Sequence, residues 1–203
     1  MREVFGDGRL VQHNGGLAVE ALNLQEPALL LPSTSGMAVP DLSEHLGKVI
    51  HYIGVLAAFG GNIDGAAFHS ADIQLPAADV PVSPMWAVIS GNLGKAPELN
   101  PSKDRWGSSL AYHKDGDTTS WIKVIAYKDY SIRPLFEKLG AGTGMIAYGA
   151  FETYTYNDKP NLQLALRGLQ LLKPAGSTAK APVSLMAARS SDDIGEHAFD
   201  NAA

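Results

Sequence analysis

Thr119-Ser120-Trp121-Ile122-Lys123-Val124-Ile125-Ala126-Tyr127 is the stretch on which the fold of this chain turns. Successive side chains of a strand point to opposite faces. Ile122, Val124 and Ala126 fall on one face, and all are apolar, so that face belongs inside a sheet structure. Trp121, Lys123 and Tyr127 fall on the other. Residues 144–156 repeat the pattern: Met145, Ala147 and Phe151 share the inner parity, while Tyr148, Tyr154 and Tyr156 share the outer one. One outer surface therefore gathers a tryptophan, four tyrosines and a lysine.

Around these two segments, short alternating runs are separated by Gly, Asn, Asp and Pro. The predicted strands are 86–91, 107–113, 119–127, 144–156 and 161–172. A short helix is predicted at 134–139, with Pro134 in its first turn and Gly140 at its end. Five strands with a helix between the third and fourth is the order of an OB barrel. Strand counting alone leaves another small barrel or a sandwich open. The expected fold class is mainly β: an OB-fold barrel over 85–173, an N-terminal α+β or partly disordered extension over 1–84, and a disordered acidic tail over 174–203.

Charge divides along the same boundaries. The 203 residues carry a net charge of −5, with 45% hydrophobic and 18% charged residues. Residues 1–84 hold 3 Lys and Arg against 9 Asp and Glu, net −6. Residues 85–173 hold 11 against 8, net +3, and residues 174–203 hold 2 against 4, net −2. A basic block between acidic ones points to a polyanion partner for the middle. There is no cysteine, which removes disulfides, thiolate metal sites and cysteine nucleophiles. The six histidines show no metal-ligand spacing, and no P-loop, Gly-x-Ser-x-Gly or dinucleotide fingerprint is present. The chain is expected not to be an enzyme and to need no cofactor or metal. No apolar run approaches bilayer length, and no secretory signal opens the chain. A cytoplasmic, nucleoid-associated location without membrane contact is expected.

Exposed rings on adjacent strands suit unpaired bases, since every base has a π-face on which a ring can stack. Interleaved cations then hold phosphates. The expected DNA-binding residues are Trp121, Lys123, Tyr127, Tyr148, Tyr154, Tyr156, Lys95, Arg105, Lys128 and Arg167, with Lys103, Lys114 and Lys159 as further cations. The alternative is an OB-fold module for protein interaction with little DNA binding, because OB barrels are reused for other ligands.

Residues 85–173 resemble the bacterial and mitochondrial single-stranded-DNA-binding proteins. Val88-Ile89-Ser90-Gly91-Asn92-Leu93-Gly94-Lys95-Ala96-Pro97-Glu98-Leu99 is similar to that family's opening strand and turn. Leu110-Ala111 fits the second strand and 119–127 the third. Leu139-Gly140-Ala141-Gly142, Tyr148-Gly149-Ala150-Phe151 and Thr155-Tyr156-Asn157-Asp158 follow in the family's order. The resemblance implies sequence-independent binding of single-stranded DNA in replication, recombination or repair. It implies base stacking on Trp121, Tyr127 and Tyr156, and assembly into homo-oligomers, usually tetramers. The chain departs from the family in three places. Residues 113–118 lack the further aromatic often found there. The acidic tail, with Asp192, Asp193, Ile194 and Phe199 expected to dock replication or repair proteins, lacks the usual Asp-Ile-Pro-Phe ending. The family begins where Met85 stands, so either residues 1–84 are an added module or Met85 is the natural start.

Within residues 1–84, a hairpin is predicted around Asn14-Gly15. A capping box at Asp41–Glu44 leads into Leu46, Val49, Ile50, Ile53 and Ala57 at helical spacing, so a helix is predicted there, ending at Gly60-Gly61. Residues 76–84 read as a linker, and no internal repeat is apparent.

Overall fold

Asn14 and Gly15 both hold left-handed backbone conformations, with φ of 50° and 79°. Two consecutive positive φ angles are what a tight two-residue hairpin requires. The turn joins β1 (Arg2–His13) to β2 (Gly16–Glu20), with His13 opposite Gly16, as the sequence predicts. There follow β3 (Ala28–Leu31), a single 3-10 turn at Ser43–His45, β4 (Val49–Phe59) and β5 (Ala66–Gln74). The computed structural model describes residues 1–33, 41–59, 66–76, 79–113, 118–156, 159–172 and 184–185.

β1 pairs with β2, β2 with β3, β3 in parallel with β5, β5 with β4, and β4 with β1 again. The ring closes, so the N-terminal segment is a five-stranded barrel in its own right. Val4, Leu10, Val19, Ile50, Tyr52, Leu56 and Phe68 fill it.

The helix predicted behind Asp41 is therefore a strand. Asp41 does not cap a helix: its carboxylate accepts the Ser43 N–H at 3.0 Å and the Ser43 hydroxyl at 2.6 Å, closing a local turn. In β4, Ile50, Tyr52, Gly54 and Leu56 are buried in alternation, which is the period of a strand. The outer positions Ile53 and Val55 are apolar too, and this second apolar face let the stretch match helical spacing.

The second barrel has the same connectivity. Its elements are β6 (Trp86–Leu93), β7 (Glu98–Asn100), β8 (Arg105–His113), β9 (Thr119–Tyr127), α1 (Arg133–Phe136), β10 (Gly144–Tyr156) and β11 (Lys159–Leu171). β6 pairs with β8, β8 with β9, β9 in parallel with β11, β11 with β10, and β10 with β6. All five predicted strands and the short helix are present. β7 is an added two-strand lobe on β8. A two-residue strand, β12 (Ser184–Leu185), pairs with β11. At Gly91 β6 passes tightly against β8: a Cβ there would meet the carbonyl of Ala111, so glycine permits the barrel to close.

The chain is thus a tandem of two barrels with one topology, a repeat of structure that the residues do not display. The two are joined by backbone hydrogen bonding. β1 pairs with β6 from Arg2↔Ile89 to Phe5↔Trp86, so one continuous sheet runs through both. The expected linker is tied down at its end: the Ser83 N–H donates to the Asp7 carbonyl and the Asp7 N–H to the Ser83 hydroxyl, each at 2.8 Å. Met85 is fully buried; its N–H donates to the Asn23 side chain at 3.0 Å and its carbonyl accepts the Phe151 N–H at 2.9 Å. The acidic tail, including Asp192, Asp193, Ile194 and Phe199, and the Gly60-Gly61 stop lie outside the described residues.

Candidate nucleic-acid interface

The two faces of β9 follow the alternation except at Ile125, an outer position that is nonetheless fully buried. Ile122, Val124 and Ala126 are buried, while Trp121 is 54% exposed. The benzo edge of its indole lies against the Cα of Gly94, where any Cβ would collide with it. The Gly94 N–H donates to the Ser109 carbonyl at 2.8 Å, which fixes that strand end to β8. An exposed indole is thereby supported from below and held in place.

Trp121 forms one wall of a groove of about 520 Å³ shared with Lys95, Leu99, Arg105, Ser109 and Lys123. Lys123 extends over the ring of Tyr154, 4.3 Å from its centroid. Burial, and then the like charges of Arg105 and Lys103, hold the Lys123 ammonium below its ordinary pKa. Cations crowded together in this way gain when an anion arrives between them. The Lys95 ammonium meets Glu98 at 2.6 Å in an exposed pair, one that a phosphate can compete for because surface pairs are weak.

A second cluster adjoins the groove. The Tyr127 hydroxyl donates to Glu152 at 2.7 Å, and the Gln163 amide donates to the same oxygen at 3.2 Å. Tyr127 meets Tyr130 edge to face at 5.1 Å, and the Arg167 guanidinium sits 3.9 Å from the Tyr130 centroid. Burial and the Glu152 carboxylate push the Tyr127 phenol well above its usual pKa. It stays a neutral donor across the biological range.

The predicted residues are thus not one patch. Trp121, Lys123, Lys95 and Arg105 line the groove, with Tyr154 beneath Lys123. Tyr127 and Arg167 belong to the adjoining cluster. Lys128 lies past the end of β9, paired with Asp104 at 3.2 Å. Tyr148 lies outside the groove: its ring stacks on Trp86 at 5.4 Å and 8°, close enough to Arg167 of the adjoining cluster to feel its charge. Tyr156 ends β10 opposite Lys159, and the side chains of both lie outside the described residues, as does Lys114. Gly94, Tyr130, Glu152 and Gln163 join the site without being among the residues that the sequence predicts for it. Glu152 and Gln163 could have been found, since both have outer parity on predicted strands. Tyr130 stands in a loop, where no periodicity applies.

No protein-family model and no curated protein sequence matches the chain. Among solved structures, it is similar to the wild-type single-stranded DNA binding protein from Thermus aquaticus, with a TM-score of 0.56 and 18% identity. That match covers 89% of this chain and 97% of the other. A deletion mutant of the same Thermus aquaticus protein gives a TM-score of 0.58 and 15% identity, over 89% of this chain and 98% of that one. Coverage of this extent spans both barrels, so the tandem architecture itself is what is shared. The OB-type fold expected from the sequence is the fold observed.

Proposed function

We propose that this protein binds single-stranded DNA without sequence preference, and that the outer face of β8, β9 and β11 in the second barrel receives it. The observation that carries this reading is the exposed indole of Trp121, its benzo edge seated against Gly94 at the wall of a groove edged by Lys95 and Lys123 and backed by the buried Arg105. A supported ring stacks an unpaired base for about 1–3 kcal/mol. The surrounding cations replace counterions on the phosphates on either side. Lys123 over Tyr154 and Arg167 over Tyr130 each cover a ring face, so these pairs supply placed positive charge beside the Trp121 platform. The likeness to a protein described as single-stranded-DNA-binding supports the same reading.

In this account the protein protects exposed strands during replication, recombination or repair, and the acidic tail docks partner enzymes. It also assembles with itself. With two barrels in each chain, two copies gather as many barrels as four copies of a single-barrel protein. The test of the central reading is quenching of tryptophan fluorescence by an oligothymidine. Quenching should be largely lost in Trp121→Phe, because Trp106 stands under Arg133 and Trp86 under Tyr148. Full quenching in that variant would place the DNA elsewhere.

A further inference from the structure

The two barrels share a topology but not a surface. By connectivity β3 is the counterpart of β9, and β2 of β8. The outer positions of β9 are Trp121, Lys123, Ile125 and Tyr127. Those of β3 are Leu29 and Leu31, since Leu30 is the one packed against the core. Where β8 begins with Arg105, β2 begins with Gly16, which has no side chain to offer a phosphate. Residues 1–84 contain no tryptophan, and their one tyrosine, Tyr52, is buried with Phe68 inside the barrel. Their only cations are Arg2, Arg9 and Lys48. Arg9 is already engaged by the Gly47 carbonyl at 2.8 Å and lies 3.8 Å from Glu20.

We propose that only one of the two barrels is a DNA-binding barrel: the second takes the strand, and the first contacts no nucleic acid. This rests on the function proposed above and narrows it. Of the exposed rings and cations present on β8, β9 and β11, the matching strands of the first barrel carry only His69 on β5, whose ring nitrogen is held by the Pro32 carbonyl at 2.7 Å. Nine carboxylates against three cations add a repulsive field there. The first barrel instead covers the β1–β6 junction. Each chain then occludes a single-barrel length of DNA, on the order of 4–16 nucleotides.

The test compares the full chain with two charge insertions, Lys123→Glu in the second barrel and Leu31→Glu on the outer face of β3, titrated with oligothymidine. Lys123→Glu should weaken binding at least about tenfold, and Leu31→Glu should leave it within about twofold. Equal losses in both would overturn the one-barrel assignment while leaving DNA binding intact. No binding by the unmodified chain would overturn the functional reading itself, and this proposal with it. Hydrogen exchange of the unmodified chain with and without oligothymidine needs no variant and so guards against a misfolded one. Slowing confined to the second barrel supports the proposal; slowing on β2 and β3 overturns it.

Discussion

The indole of Trp121 rests on the α-carbon of Gly94 with no room for a side chain between them. Two residues 27 positions apart are thereby one device: the glycine is the seat and the ring is the platform. Trp121→Ala should cost about 1–3 kcal/mol of affinity for single-stranded DNA, with little change in melting temperature because the ring is half exposed. Gly94→Ala keeps the indole but tilts it off its seat. It should lose affinity in the same direction, with a changed tryptophan emission. Unchanged affinity in Gly94→Ala would show that the seat is not needed.

Lys123 gives a pH dependence with a definite sign. Its free-protein pKa is lowered, by burial first and then by Arg105 and Lys103. A phosphate beside it raises that pKa again, so the complex binds more protons than the free protein. Affinity must then fall as pH rises through the lowered lysine pKa. The fall should begin at a lower pH than an ordinary lysine produces. Lys123→Arg stays charged and should flatten this limb. Titrations at a series of alkaline pH values at fixed salt measure it, and an equal decline in both proteins would assign the titration to another group.

Glu152 is a carboxylate among cations, holding Tyr127 and Gln163 through one oxygen. Glu152→Gln keeps an acceptor and removes a charge that repels phosphate. Affinity at low salt should rise, and the gain should shrink as salt is added. A loss of affinity would mean that the orientation of Tyr127 matters more than the charge.

A chain shortened to begin at Met85 should not behave as an independent domain. It strips β1 from Trp86–Ile89, opening a strand edge, and uncovers the buried Met85. Open edges associate. The shortened chain should melt earlier and form larger species in sedimentation than the full chain. Equal melting and no species larger than those of the full chain would show that the junction is dispensable.

The second barrel was legible because its strands have one apolar face and one polar, aromatic face, so alternation stands out in residues such as Trp121 to Tyr127. The first barrel was not, because Ile53 and Val55 of β4 are apolar outside while Ile50, Tyr52 and Leu56 are apolar inside, and the period blurred toward that of a helix. The β1–β6 pairing could not be read at all. It is made by backbone groups of residues far apart in the chain, and backbone groups carry no residue signature. In the site, the rings and cations were legible as a set, but their division was not. Tyr148 has the same parity as Tyr154, yet the pairing of β10 with β6 sets it on Trp86. Gly94 read as an ordinary turn glycine, since its role depends on a side chain from β9.

The central claim is that a supported ring and its surrounding cations bind unstacked DNA. It is tested most directly by measuring the affinity of the full chain for an oligothymidine and for a duplex of equal length across a series of salt concentrations. Single strand should bind tightly and duplex weakly, and the log affinity for the single strand should fall linearly with log salt. Equal affinity for the two forms, or an affinity for the single strand that does not change with salt, would contradict the claim.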